Sequence, residues 1–187
     1  MKMKNGMDLR QATNADAAAI ADIYGHHVSR GFGAFEEVPP PPPEIARRIA
    51  AVTAFGLPHL VAIADGRILG FAYAGPFRPR AAYRFTVEDS VYVAPDAIGG
   101  GVGKALLGRI VELCEAVGLR QMVAAIGDSA NAASIGLHRS LGFQQTGLAR
   151  AVGFKHGRWV DVVWMQRTLN GGDASAPGAA GLDLGGG

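Results

Sequence analysis

The sequence predicts an α+β domain with a central, mostly antiparallel mixed sheet flanked by helices, and three observations predict it. Short apolar runs bounded by Asp-Gly and Gly-Pro turns fill 59–93, the pattern of strands in a meander. From residue 102 the apolar residues change to helical spacing, with Val102, Leu106, Ile110, Leu113 and Val117 on one stripe. A buried run at 121–126, a shorter helix and two closing strands then complete the chain.

In chain order, 7–11 reads as a first strand. Thr13-Asn14-Ala15-Asp16 starts a helix, with a capping hydroxyl and an early carboxylate at its positive end. Ile20, Ile23, Tyr24, His27 and Val28 continue it. The five prolines at 39–43 predict a stiff irregular link, either a spacer or a ligand for a polyproline-reading partner. A second helix follows at 44–55, with Ile45, Ile49 and Val52 on one side. Asp65-Gly66 joins strands 59–64 and 67–73 as a hairpin. Gly75-Pro76-Phe77-Arg78-Pro79-Arg80 reads as a loop, and 85–93 as the next strand. Gly118 ends the striped helix. Helix 131–140 precedes Gly142-Phe143, which opens two strands joined near His156-Gly157, the last at 160–167. The Gly- and Ala-rich tail 170–187 has no large aromatic and is expected to be disordered, leaving one domain over 1–169.

Composition removes several functions. Eighteen Lys and Arg against sixteen Asp and Glu, with no dense basic run, do not describe a nucleic-acid binder. The basic N-terminus has no apolar stretch behind it, and no window approaches a membrane span, so neither a signal peptide nor a membrane protein is expected. Cys114 stands alone, which excludes an intramolecular disulfide and suits a reducing, cytoplasmic location. His26 and His27 have no partners at metal-ligand spacing, so no metal is expected.

The feature richest in chemistry is Gly99-Gly100-Gly101-Val102-Gly103-Lys104 between a strand and a helix. Glycines let backbone approach an anion, and the first N–H groups of a helix lack internal partners. A P-loop ending at Gly103-Lys104 fails at Ile98 and Ala105; a dinucleotide fingerprint fails at Lys104 or Leu106. A phosphate cradle of another kind and an ordinary turn both remain.

The wider stretch resembles the GNAT acetyltransferase superfamily, whose pattern is a strand, Arg/Gln-x-x-Gly-x-Gly/Ala, a helix, then an Asn that opens a second helix ending in Leu-Gly-Phe. Here these are Val91-Tyr92-Val93, Gly101-Val102-Gly103, Asn131 and Leu141-Gly142-Phe143, with Ile98 in place of the Arg/Gln. A narrower resemblance, to the phosphinothricin and methionine sulfoximine acetyltransferases, rests on Arg84-Phe85-Thr86-Val87-Glu88-Asp89-Ser90, Ala133-Ser134-Ile135-Gly136-Leu137-His138 and Lys155-His156-Gly157-Arg158-Trp159. Ala34-Phe35-Glu36 and Gly75-Pro76-Phe77-Arg78 fit as well.

The resemblance implies a GNAT-like fold and transfer of acetyl from acetyl-CoA to a primary amine of a small amino acid or analogue. It implies a coenzyme A site at Val91, Tyr92, Val93, Gly99 to Lys104 and Asn131, with a backbone N–H near Val93 as oxyanion donor where the strand splays from its neighbour. Glu88 is the expected base, on the strand face shared by Thr86, Ser90 and Tyr92; its other role is a solvent-facing carboxylate. His138 is the expected acid, or an assistant to Glu88; its other role is a surface or capping histidine. Asn131 is also a natural N-cap. For the substrate, Arg78, Pro79 and Arg80 form a loop suited to a carboxylate or phosphinate, Phe35 an apolar wall or a core residue, and Glu88-Asp89-Ser90 the substrate-side strand. A homodimer is implied, with Trp159 or Trp164 at a possible interface. A protein N-terminus, an aminoglycoside, and a coenzyme A-binding protein with lost catalysis are the other readings.

Overall fold

Asp65 and Gly66 both take positive φ, 50° and 74°, as a two-residue hairpin turn requires. They join β2 (His59–Ala64) to β3 (Arg67–Pro76) in antiparallel register. The computed structural model describes residues 6–185; Met1 to Asn5 of the basic N-terminus and the last two tail glycines lie outside them. β1 (Asp8–Gln11), β4 (Thr86–Val93), β5 (Gln121–Gly127), β6 (Gln144–Lys155) and β7 (Arg158–Thr168) complete a seven-stranded sheet in the order β1-β2-β3-β4-β5-β7-β6. Only the β4–β5 pair is parallel.

Helices cover both faces of the sheet. α1 (Ala17–Arg30) and α2 (Pro42–Ala54) bury Ile20, Tyr24, Val28, Ile45 and Ile49 against Val61 and Phe71. α3 (Val102–Ala116) and α4 (Ala132–Ser140) lie on the other face, where Leu106, Leu107 and Ile110 meet Ala72, Ala74, Val87 and Met122. Two apolar cores therefore sandwich the sheet, as the opposite parities of its strands demand. No helix among the described residues is long and apolar enough to cross a membrane.

Three elements differ from expectation. The proline run does not stay irregular: Pro42 and Pro43 open α2, because the first turn needs no N–H and a fixed φ suits it. β3 runs on through Gly75 and Pro76, opposite Glu88 and Val87. β2 begins at His59, opposite Tyr73, so this end of β3 has a neighbour on one side only and Pro76 misses no donor. The tail, expected to be disordered, is placed against the domain by long-range hydrogen bonds. Arg120 donates to the carbonyls of Gly172 and Ser175, Asn170 Nδ2 to those of Glu115 and Leu119, and the buried Leu182 donates its N–H to Arg84. Gly and Ala composition carries no information about these few tethers.

Candidate active site

The site begins where the sheet parts. β4 pairs with β5 only through Thr86–Asp89 against Gln121–Ala124, and beyond Asp89 the two strands separate. Phe77 N–H bonds Thr86 O and Ala94 N–H bonds Leu69 O, so even-numbered residues of β4 turn their backbone groups toward β3. The N–H groups of Val91 and Val93 consequently face the gap. Val93 O accepts a 2.9 Å hydrogen bond from His27 Nε2 on α1. Burial lowers the His27 pKa, although that bond opposes it. A cavity of about 570 Å³ opens at the parting.

One end of the cavity is the glycine turn. Gly99 and Gly101 take φ of 85° and 81°, a region that costs a side chain energy but not glycine. Gly101 caps α3, and the first helical bond runs from Ala105 N–H to Gly101 O. The N–H groups of Val102, Gly103 and Lys104 thus have no acceptor within the helix and carry its partial positive charge. Gly103 packs against Val93 and Leu137, which brings the start of α3 against the parted strand. Lys104 is exposed at the rim, and Ile98 is 65% exposed.

The cavity wall carries a buried pair. Asp89 and His138 are 5% and 2% exposed, and His138 Nε2 lies 3.0 Å from Asp89 Oδ2. A carbonyl oxygen only accepts, so the 2.7 Å contact with Ser134 O places a proton on His138 Nδ1. Burial works against the charged imidazole, but the Asp89 hydrogen bond, its charge and the Ser134 carbonyl outweigh it, and the His138 pKa is raised. Asp89 Oδ1 is buried without a partner among the described residues.

Glu88 lies on the other face of β4. Burial raises its pKa against the opposing charge of Arg78, and the neighbouring Asp89 adds to the rise. Ser90, on the same face, stands opposite Tyr73 in the β3–β4 register. Tyr24 OH donates to Glu36 at 3.0 Å, and Arg48 holds Glu36 and Glu44 together at 2.7 and 2.8 Å. Tyr92 packs edge-on to Tyr24 and stacks on Phe71.

The chain and its fold have close counterparts among known proteins. The model of the acetyltransferase (GNAT) family matches residues 21–143. The chain belongs to the GNAT acetyltransferase family. A phosphinothricin N-acetyltransferase of Alcaligenes faecalis is 54% identical over 90% of this chain and 86% of its own. An L-methionine sulfoximine/L-methionine sulfone acetyltransferase of Pseudomonas paraeruginosa is 45% identical over 87% of this chain and 94% of its own. The crystal structure of a GNAT superfamily phosphinothricin acetyltransferase from Sinorhizobium meliloti, in complex with acetyl-CoA, superposes with a TM-score of 0.89 at 48% identity, covering 92% of this chain and 93% of that one.

Against this GNAT frame the sequence-derived residues divide. Val91, Tyr92, Val93, Gly99, Gly101, Val102, Gly103, Lys104, Asn131, Asp89, Ser90 and His138 all line the cavity. Gly100 lies within the turn, with its N–H turned to Ala97 O. Asn131 is the N-cap: its Oδ1 accepts from Ser134 N–H and its Nδ2 donates to Gly127 O. His138 does not assist Glu88, because the two sit on opposite faces of β4 and His138 is bound to Asp89 instead. Arg78 donates to Phe77 O and stacks on the Phe77 ring at 4.5 Å; Pro79 and Arg80 are exposed beside it. Phe35 is 44% exposed, with its ring set against Gly127 and Gly153. Sequence reasoning missed the Asp89–His138 pair and the contact between His27 and Val93. One available signal was Asp89 itself, an acid on the parity of Val87 and Val91 that needs a buried partner.

Proposed function

We propose that this GNAT protein transfers acetyl from acetyl-CoA to the primary amine of a small amino acid or analogue of the phosphinothricin and methionine sulfoximine type, by direct attack in a ternary complex. The observation that carries the reading is the parting of β4 from β5 after Asp89 and Ala124, which bares the Val91 and Val93 N–H groups in a cavity ending at the start of α3. The residues there fit the co-substrate. Bare N–H groups of Val102, Gly103 and Lys104 suit a pyrophosphate, and a strand edge suits an amide-bearing arm. Acetyl-CoA supplies a thioester carbonyl. The Val93 N–H is the donor for the oxygen that gains charge at that carbon.

An alkylammonium has no free pair, so Glu88 takes its proton, directly or through water, before nitrogen attacks. Burial favours the neutral carboxyl and thereby brings this base nearer to neutrality. As the C–N bond forms and the C–S bond breaks, the leaving thiolate takes a proton from His138; both ring nitrogens are engaged in this structure, by Ser134 O and Asp89 Oδ2, so the ring lets go of Asp89 to deliver it. On the other face of β4, Phe35 walls the amine substrate, and Arg78, Pro79 and Arg80 form the loop that meets its carboxylate or phosphinate; Arg80 is the guanidinium left free of the Phe77 stack.

A thiol-release assay with acetyl-CoA and methionine sulfoximine, phosphinothricin and free amino acids tests the reading. Turnover of any of them supports it; none across the panel sinks the substrate class. Ile98 favours a second reading, a coenzyme A-binding protein with weakened catalysis, and calorimetric coenzyme A binding without turnover would select it. The exposed Leu148, Val152, Phe154 and Trp159 on β6 and β7 suit a homodimer, read by sedimentation. The single, buried, free Cys114 suits a reducing cytoplasm.

A further inference from the structure

The run Lys155-His156-Gly157-Arg158 at the β6–β7 turn has no part in the chemistry above, yet it grips the loop after α1 at three points. Lys155 is 3% exposed and its ammonium donates to Ala34 O at 2.6 Å. The Arg158 guanidinium stacks on the Phe32 ring at 3.7 Å while bonded to Asp128, and His156 meets the same ring edge-on at 5.5 Å. The Phe35 ring fills a slot that exists because Gly127 and Gly153 have no side chains; a Cβ on either would collide with the ring edge. Phe32 and Gly33 line the cavity. A loop costs conformational entropy to hold in one shape, and an ammonium in an apolar setting is costly unless bonded. Both costs are met at this contact.

We propose that Lys155 is a positioning residue for the amine substrate, acting by fixing loop 31–35 so that Phe35 stands as a rigid wall of the substrate site. This rests on the function proposed above. Lys155→Met keeps the length and removes the ammonium. Gly153→Ala keeps the ammonium and drives Phe35 from its slot, so it serves where the first variant fails to fold.

Two measurements decide the matter. Amide hydrogen exchange across 31–37 should quicken in both variants and stay unchanged in α3. The KM for methionine sulfoximine should rise about tenfold, with kcat and the calorimetric coenzyme A affinity within about twofold. On a Phe35→Ala background, Lys155→Met should add nothing to the amine KM. Unchanged exchange at 31–37 overturns the clamp. Quickened exchange with an unchanged amine KM, or an equal loss for both substrates, overturns the positioning role. If the wild-type protein turns over no amine of the panel, the substrate reading fails and the clamp is judged by exchange alone.

Discussion

His138 Nε2 lies 3.0 Å from Asp89 Oδ2, and both side chains are withdrawn from solvent on the wall of the cavity. The contact spans 49 residues of sequence and joins α4 to the strand just where it leaves β5. Its consequence is a proton. With Nδ1–H committed to Ser134 O, the raised pKa of His138 depends on Asp89. An acid works below its pKa, so kcat should fall as pH rises through the His138 value. Asp89→Asn removes the largest raising causes and leaves the burial that lowers it. The alkaline limb of kcat should move to lower pH, with kcat on that limb lower by about tenfold for each pH unit of the move. A pH–rate profile of this variant superposable on the wild type would remove the pair from the mechanism.

Glu88 titrates in the opposite sense. A base works above its pKa, and burial raises that of Glu88, so kcat/KM should show an acidic limb above the ordinary carboxylate range. Glu88→Gln should abolish the limb and cut kcat about 100-fold or more, with the calorimetric affinity for coenzyme A within about twofold. A variant with undiminished turnover would assign the proton transfer to another group.

How far the sequence reaches can be judged from single residues. Asp65-Gly66, the Val102-to-Leu113 stripe and Asn131 were legible because a turn, a helix face and a cap are local events. The face of Glu88 was legible from alternation alone. Asp89 was not, because its role depends on α4 arriving 49 residues later, and alternation says which side a residue faces but not what meets it there. The helix at Pro42 was misjudged for a local reason: proline breaks a helix interior but suits its first turn. The contacts of the tail were not legible because Arg120, Asn170 and Leu182 act over long range.

The glycine turn yields a gain-of-affinity experiment. Ile98, 65% exposed at the cavity, occupies the place of the family's Arg or Gln. Ile98→Arg should tighten acetyl-CoA binding about threefold to tenfold at low salt, with the advantage shrinking as salt rises. Gly101 is held at φ 81°, so Gly101→Ala should cost about 1 kcal/mol of stability and raise the acetyl-CoA KM. An affinity for acetyl-CoA indifferent to both changes would move the pyrophosphate away from this turn.

Acid unfolding should proceed in two separate windows. His59 is 3% exposed, stacked on Tyr73 and Phe71, and its Nδ1 has no partner among the described residues. Burial lowers its pKa from 6.5 to about 4, against a small opposing pull from the Asp16 charge. The fold therefore favours neutral His59. Its contribution is complete above the unfolded value and is lost as pH falls from 6.5 toward 4, about 3 kcal/mol in all. Asp16 acts later. Arg10 bonds its carboxylate at 2.7 Å, and Thr13 donates from its N–H and hydroxyl, together lowering the pKa to about 2. That contribution is complete above the ordinary aspartate value and is lost as pH falls from 3.8 toward 2. Denaturant titrations at stepped pH should show both slopes. His59→Gln should flatten the upper one and spare the lower; Asp16→Asn should do the reverse and lower stability at neutral pH, because the ion pair with Arg10 is gone. A His59→Gln protein whose stability still falls by the wild-type amount between pH 6.5 and 4 would assign that window to another group.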